Sequence, residues 1–188
     1  MFSKNQQARQ KNQLPCSKAL PINNTFSIRQ VIKQDNFALF QWANDLETRN
    51  SSFHRSSITK HQHKKWFTKL FKERNRNPVL ICLKSGRARV GVIRFTRLFQ
   101  KKNTWEIHFT VAPKYRGHGF AKPMLENALR WFRQINPKQV VYAKVKTSNL
   151  KSLKVLQSIG FKRKKILKTL PSLILLRLAS RIKNPVIN

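Results

Sequence analysis

The stretch Pro113-Lys114-Tyr115-Arg116-Gly117-His118-Gly119-Phe120-Ala121 decides the fold of this chain. It follows an apolar run from Glu106 to Val111 that is typical of a strand, and it leads into a helix-like run from Phe120 to Phe132. A turn with two glycines between a strand and a helix exposes backbone N–H groups at the helix N-terminus, where an anion can bind. Glycines let a phosphate approach the main chain without meeting a Cβ. The stretch therefore predicts a phosphate-binding loop, with the charge of Arg116 beside it.

Apolar periodicity on both sides of this loop predicts the other elements. The predicted strands are Thr25–Ile32, Pro78–Leu83, Ala88–Phe95, Thr104–Val111, Gln139–Val145, Phe161–Ile166 and Leu173–Ala179. The predicted helices begin at Asp35 or Asn36, after Thr59, at Phe120 and at Asn149, and the last one ends at Gly160. This order, β-α-α-β-β-β-α-β-α-β-β, indicates an α/β fold (α+β, with a mixed sheet) covered by helices.

The 188 residues suffice for one domain with a buried core. Residues 1–24 are basic, free of acidic side chains and rich in Gln and Asn, so we expect a disordered leader, with a loosely attached arm or a transit peptide as the alternatives. The domain itself is expected over residues 25–180, followed by a short basic tail over 181–188. Two cysteines, Cys16 and Cys82, exclude a disulfide framework, and no apolar run is long enough for a transmembrane segment. These features predict a soluble, cytoplasmic protein of unspecified oligomeric state.

The charge balance of the chain is extreme, with 40 Lys and Arg against six Asp and Glu and a formal net charge of +34. Such a charge suits a polyanionic partner, such as nucleic acid or an anionic membrane. However, the basic residues are spread from Lys4 to Lys183, with one modest cluster at 162–165 and no clear stripe interleaved with aromatic residues. Nucleic acid is therefore a candidate partner that the distribution does not favour, and a basic bias of the whole proteome is the alternative explanation.

A second motif follows on the next strand–helix unit. It consists of Asn149-Leu150-Lys151-Ser152 and Ser158-Ile159-Gly160-Phe161. Together with the spacing Arg116-x-x-Gly119-x-Ala121, it resembles the acetyl-CoA-binding elements of the GNAT acetyltransferase superfamily. The resemblance covers about Phe26 to Ala179. It implies a single GNAT-type N-acetyltransferase domain that uses acetyl-CoA as co-substrate, needs no metal, and acetylates a primary amine of a small molecule.

The resemblance also implies which residues hold the cofactor. The pantetheine arm is expected between the fourth and fifth predicted strands, which separate in this fold, and the pyrophosphate is expected on the glycine loop. The implied cofactor-binding residues are Phe109, Thr110, Val111, Arg116, Gly117, His118, Gly119, Phe120, Ala121, Asn149 and Ser152. Two of them have simpler explanations, since Asn149 is a preferred helix N-cap and Ser152 is a small residue suited to close packing.

The catalytic base implied by the resemblance is Glu106, which would take a proton from the acceptor ammonium directly or through a water. The alternative is a structural ion pair with one of the many basic side chains. Many members of the superfamily carry a tyrosine seven residues after the Asn to protonate the leaving thiolate, but here that position is Leu156. Tyr142 is a candidate substitute, and core packing is its alternative role.

The predicted first two helices resemble a branch of the superfamily that acetylates nucleotide-linked amino sugars in pseudaminic and related nonulosonic acid pathways. The resemblance rests on Trp42-Ala43-Asn44-Asp45, Arg49, Ser52, Ile58-Thr59 and His63-Lys64-Lys65-Trp66-Phe67. It implies that Asn44, Arg49 and His63 bind the diphosphate or the sugar hydroxyls. The alternatives are that the aromatic residues are core and that Asp45 and Arg49, four residues apart, form a helical ion pair.

Three other functions remain open on the sequence, and the weakest of them is a role of the basic and apolar C-terminal stretch at an acylated lipid or a membrane surface. The same fold can acetylate a protein N-terminus or a lysine, although a basic enzyme is a poor electrostatic match for a basic protein. A catalytically degenerate domain could instead use its basic surface on nucleic acid or the ribosome, which Leu156 and the charge would explain.

Overall fold

The computed structural model describes residues 20–22, 26–74, 76–85, 87–98, 103–166 and 173–179. These residues form one eight-stranded sheet, in the order β1-β2-β3-β4-β5-β6-β8-β7, and five α-helices. The strands are β1 Leu20–Ile22, β2 Phe26–Gln30, β3 Val79–Lys84, β4 Ala88–Arg97, β5 Thr104–Val111, β6 Val140–Lys146, β7 Lys162–Ile166 and β8 Leu173–Leu178. The helices are α1 Asn36–Asn44, α2 Leu46–Ser51, α3 Lys60–Glu73, α4 Ala121–Ile135 and α5 Leu150–Ser158.

The predicted mixed α/β fold is confirmed, and each predicted strand and helix is present within a few residues of its expected bounds. One helix was missed. The six residues of α2 bury no side chain, so this helix carries no apolar periodicity by which it could be recognised.

The predicted leader contains a strand that periodicity did not reveal. Its Leu20–Ile22 segment is β1, which pairs antiparallel with β2 at the edge of the sheet. The described residues do not include the rest of the leader, which is residues 1–19, 23 and 24 and contains Cys16. They also do not include the predicted tail, residues 181–188. The disorder predicted for the leader and the short basic tail predicted for residues 181–188 stay predictions.

The core has two layers because the sheet is covered on both faces. Along β3, Leu80 and Cys82 belong to the cluster formed with α4 and α5, whereas Ile81 and Leu83 belong to the cluster formed with α1 and α3. A strand buried on both faces reads as a continuous apolar run, as β3 does in the sequence. The buried position of Cys82 confirms its predicted packing role.

The α4 layer packs closely on β4. Phe95 and Phe132 stack with ring centroids 4.2 Å apart. Gly91 lies where a Cβ would collide with the Met124 side chain and the Thr110 carbonyl. Glycine is therefore required for this close approach. No helix in the described part of the chain is both long and apolar enough to cross a membrane.

The parallel strands β5 and β6 separate partway along their length. They pair only where Thr104–Glu106 lies beside Val140–Tyr142, although β5 continues to Val111 and β6 to Lys146. The burial of β5 changes at the same place, since residues 104–107 are buried and residues 108–111 are half-buried. The separation expected between these strands is thus present, and it leaves a gap whose closed end lies at Glu106 and Tyr142.

Candidate active site

The glycine loop follows β5 directly. Residues Pro113–Tyr115 make one turn of 3-10 helix, and α4 begins at Ala121. Gly117 and Gly119 have φ values of 79° and 73°, in the left-handed region that side chains with a Cβ adopt at a cost. A Cβ added at either position would meet no atom within 4 Å. Backbone conformation rather than crowding therefore requires glycine, and the space beside both residues is open.

Backbone N–H groups of this loop are available to a ligand. Those of residues 117–122 make no backbone hydrogen bond to a described residue, and the first bond into α4 runs from Met124 N to Phe120 O. They lie at the N-terminus of a 15-residue helix, where the helix dipole favours negative charge. The arrangement fits a phosphate or pyrophosphate, as the sequence predicts.

Aromatic packing holds the loop in place. The ring of Phe120 lies 5.3 Å from the ring of Phe26 and 5.8 Å from that of Tyr115, measured between centroids. The Lys84 ammonium lies 4.9 Å from the Phe120 ring centroid. Nδ1 of His118 lies 2.8 Å from the Arg116 carbonyl oxygen. The side chain of Phe120 thus anchors the loop to β2, so any part it takes in anion binding is through its main chain.

The guanidinium of Arg116 is held by α2 and its cap. It lies 2.6 Å from the Asp45 carboxylate and 3.2 Å from that of Glu47, and it donates to Thr48 Oγ1 at 2.8 Å. Burial alone would raise the pKa of Asp45, but hydrogen bonds from the Thr48 N–H and from Arg116 outweigh it and lower that pKa. The charge predicted to stand beside the glycine loop is therefore already paired. The helical ion pair considered as an alternative for Asp45 and Arg49 is not formed, because Asp45 caps α2 and its carboxylate binds Arg116 instead.

Helix α2 connects the two sides of the gap between β5 and β6. Glu47 bridges Arg116, which follows β5, and Lys151, whose Nζ lies 3.1 Å away in the first turn of α5. Lys146, at the end of β6, donates from Nζ to the Asn50 carbonyl at 3.0 Å. Sequence reasoning missed Glu47 because it missed the helix. The only sequence signal for this helix is Asp45, a preferred N-cap residue that lies three residues before Thr48.

The second predicted motif forms the start of α5. Oδ1 of Asn149 accepts the backbone N–H of Ser152 at 3.1 Å, which confirms the N-cap interpretation. The cap uses only the amide oxygen, so a further role for Nδ2 is compatible with it and stays a prediction. Leu156 is fully buried in the core.

Glu106 lies at the closed end of the gap with basic neighbours. Its side chain is 8% exposed, and Oε2 accepts a hydrogen bond from Lys144 Nζ at 2.9 Å. Nε2 of His108 lies 3.5 Å from Oε1. The ion pair considered as the alternative role of this residue is present, and the use of Glu106 as the catalytic base stays a prediction. Tyr142 lies beside it in the register of β5 and β6.

Arg94 completes this cluster, which we call the Glu106 cluster (Arg94, Glu106, His108 and Lys144). Arg94 faces His108 across the β4–β5 pair, and its Nε is buried with no hydrogen-bond partner among the described residues. Burial lowers the pKa of Arg94, and the charge of Glu106 opposes that effect. Burial, together with the charges of Arg94 and Lys144, lowers the pKa of His108 to about 4 against the opposing pull of Glu106. His108 is therefore neutral at pH 7, and the cluster carries a net positive charge.

Asn44 and Arg49, both predicted to bind substrate, fasten the segment between α2 and α3. Asn44 donates to the Ile58 carbonyl at 3.0 Å and accepts the Ile58 N–H at 2.6 Å. Arg49 donates to the carbonyls of His54 and Ser56, each at 3.2 Å, and to Ser52 Oγ at 2.9 Å. The structure thus gives both side chains a positioning role, and substrate contact by either stays a prediction.

His63 is buried between α1 and α3. Its side chain contacts Asn36 through Nε2, 2.8 Å from Oδ1, and its ring lies against Phe40, Trp66 and Phe67. Burial lowers its pKa. Only 5% of the residue is exposed, which leaves little surface for a ligand. The core role considered for the aromatic residues of these helices is confirmed.

The comparisons with known proteins agree with this geometry. The family described as "Acetyltransferase (GNAT) domain" matches residues 26–162. No curated protein sequence matches the chain. Among solved structures, spermidine N-acetyltransferase from Vibrio cholerae, in complex with CoA and spermine, has a TM-score of 0.70 at 16% identity and covers 82% of this chain and 94% of its own.

Two further structures extend the comparison. The Salmonella typhimurium protein yncA with its cofactor acetyl-CoA has a TM-score of 0.66 at 19% identity, over 84% of this chain and 95% of its own. Ribosomal-protein-S5-alanine acetyltransferase from Vibrio fischeri has a TM-score of 0.70 at 14% identity, over 87% and 97%. At such identities the likeness shows a shared fold.

Proposed function

The chain belongs to the acetyltransferase (GNAT) family, and from this premise we propose that it transfers the acetyl group of acetyl-CoA to the primary amine of a small anionic acceptor, with a nucleotide-linked amino sugar as the specific candidate. The glycine loop carries the proposal. Its N–H groups at the start of α4, which make no backbone hydrogen bond to a described residue, support the binding of a pyrophosphate there.

The donor site is formed by the loop and the gap. The N–H groups of residues 117–121 would hold the pyrophosphate, and the edge of β5 at Phe109–Val111, unpaired toward β6, would bind the pantetheine amides as an added strand does. Arg116 acts on this site by fixing the loop against α2. Nδ2 of Asn149 and the Ser152 side chain lie at the start of α5 and would seat the arm on the far side of the gap. The cofactor supplies a thioester-activated acetyl group.

The acceptor amine would react at the closed end of the gap. Its ammonium must lose a proton before the nitrogen can attack, and we assign that proton to Glu106, whose carboxylate lies at this end of the gap. With Leu156 in the core, no acid stands at the position expected for one. The departing thiol, with an ordinary pKa of about 8.5, can leave as the thiolate at modest cost.

Charge supports an anionic acceptor over a polyamine. Five of the six acidic residues already contact an Arg or a Lys. They are Asp35, Asp45, Glu47, Glu73 and Glu106. A polyamine needs free carboxylates, whereas an anion benefits from the net positive Glu106 cluster and from the buried Nε of Arg94. Nucleotide-linked amino sugars combine a primary amine with a diphosphate.

The proposal is tested in two stages. Titration with acetyl-CoA in low salt should show binding, since a highly basic protein captures an anionic ligand efficiently at low ionic strength. Thiol release should then be measured with a nucleotide-linked amino sugar, spermidine and a basic N-terminal peptide. Turnover confined to the first compound supports the proposal. Preferred turnover of spermidine or the peptide would overturn the acceptor assignment, and RNA binding without acetyl-CoA binding would overturn the enzyme assignment.

A further inference from the structure

The Glu106 cluster contains a primary amine of the protein itself. Lys144 lies on β6 beyond the last β5–β6 pair, and its ammonium reaches across to Glu106 Oε2 at 2.9 Å. Its neighbours Ala143 and Val145 belong to the α4–α5 core, so Lys144 points to the opposite face of the sheet. The side chain is 39% exposed, and it lies on the part of β6 that is no longer paired with β5.

We propose that Lys144 is a self-acetylation site of this protein. The inference rests on the proposed function, because it requires acetyl-CoA in the gap between β5 and β6. An acyl group delivered to an amine beside Glu106 would also meet the Lys144 amine, which occupies that position when no acceptor is bound. Lys144 is held there by the same ion pair that would orient a substrate ammonium.

The step balances with residues and reagents already named. The Lys144 ammonium gives one proton to Glu106, and its nitrogen attacks the thioester carbonyl of acetyl-CoA. The nitrogen then loses its second proton to solvent, the carbon–sulfur bond breaks, and the departing thiolate takes up one proton from solvent. The products are Nε-acetyl-lysine at position 144 and free CoA, and the proton on Glu106 returns to water.

Acetylation would change the cluster. It removes the charge of Lys144 and therefore the ion pair with Glu106. The site then has one positive charge fewer, and the Glu106 carboxylate has lost its Lys144 partner. We expect the acetylated enzyme to bind an anionic acceptor less tightly, seen as a higher KM. A bound acceptor should in turn protect Lys144, because both amines compete for Glu106.

The test is labelling of the full chain with deuterated acetyl-CoA, followed by proteolysis and mass spectrometry. The label should accumulate at Lys144 faster than at Lys151, which is 87% exposed and reports chemical acetylation, and faster than at Lys146, two residues further along β6. The rate constant should be independent of protein concentration, as for a reaction within one molecule. Lys144→Arg should remove this label, whereas the matched variant Lys146→Arg should keep it.

Two further measurements separate this inference from the proposed function. Glu106→Gln, checked for folding by circular dichroism, should slow labelling of Lys144 without changing that of Lys151. Acetyl-CoA binding is measured on the same samples. Binding with labelling of Lys144 no faster than Lys151 would overturn self-acetylation while leaving the donor site intact, and absence of binding would overturn both.

Discussion

The guanidinium of Arg116 lies 2.6 Å from the carboxylate of Asp45, and this contact joins the glycine loop to the cap of α2. Both side chains are about one-fifth exposed, and Glu47 and Thr48 add two more contacts to the same guanidinium. An arginine so engaged shapes the loop rather than supplying a free charge to a phosphate. The function of Arg116 is therefore inseparable from that of Asp45.

This relationship predicts that Asp45→Asn weakens CoA binding nearly as much as Arg116→Ala does. We expect about a tenfold loss for each, equivalent to roughly 1.4 kcal/mol, because either change releases the loop from α2. The double variant should lose little more than either single one, since the two residues act as a unit. Isothermal titration with CoA checks all three. The exposed Lys72→Ala controls for loss of one charge. Tighter binding by Asp45→Asn would mean instead that Arg116 contacts the phosphate directly.

A second prediction concerns Gly119. Gly119→Ala should cost about 1–2 kcal/mol of stability, because it forces a residue with a Cβ into the left-handed region. Gly119→Glu carries the same backbone cost and also places a carboxylate where the pyrophosphate is proposed to bind, so it should abolish CoA binding. Neither side chain meets a neighbour at its Cβ, so both variants should fold. Undiminished affinity of Gly119→Glu would show that the anion binds elsewhere.

Asp35 is expected to be the acidic residue on which stability depends most. Its buried carboxylate accepts hydrogen bonds from Arg29 at 2.6 and 2.8 Å, from Arg89 at 2.7 Å and from the Ile32 N–H. Asp35→Ala leaves two guanidinium groups without their common partner and should cost about 3–5 kcal/mol in urea unfolding. The matched control is Glu73→Ala, which breaks a solvent-accessible pair with Lys69 and a hydrogen bond from Asn77 Nδ2, and which should cost only about 1 kcal/mol.

Stability should fall with acid in two ranges of pH. His108 has a folded pKa of about 4, and burial also lowers the pKa of His63. Between pH 6.5 and about 4 the unfolded chain therefore binds protons that the folded chain does not bind, so the free energy of unfolding decreases as the pH falls. Below about 3.8 the lowered pKa values of Asp35 and Asp45 produce the same effect. Burial opposes the lowering at Asp35, but the bonds from Arg29 and the Ile32 N–H outweigh it.

Chemical unfolding as a function of pH checks this prediction. His108→Gln should flatten the upper range in part, leaving the contribution of His63, and should leave the lower range unchanged. An unaltered slope between pH 6.5 and 4 in this variant would contradict the assignment.

A fifth prediction concerns Leu156, which stands where many members of the superfamily carry a tyrosine. Leu156→Tyr should not raise kcat, because the Leu156 side chain lies wholly in the core and a larger ring there should cost about 1–3 kcal/mol of stability. Steady-state thiol release and thermal unfolding measure the two effects. Tyr142→Phe is the companion variant: a large fall in kcat would identify Tyr142 as the acid, and an increased kcat in Leu156→Tyr would mean that the ring reaches the gap.

Local signals made much of the fold predictable. Thr59 caps α3 through a reciprocal pair of bonds with Gln62, and Asn149 caps α5, both within three residues. The glycine loop is equally local, since its conformation depends on two glycines and the helix that follows. Helix α2 escaped prediction because a six-residue helix with no buried side chain leaves no periodic pattern.

The sequence by itself determined most of the strands, most of the helices that cover them, the glycine turn and the family, because each depends on residues close together in the chain. Only the tertiary structure decided which charges meet. Forty basic residues offer each of the six acidic ones many equivalent partners, so composition cannot select among them. The fold selected Arg116 for Asp45 and Lys144 for Glu106 by bringing distant strands, loops and helices together, and the short range of a hydrogen-bonded ion pair excluded the rest.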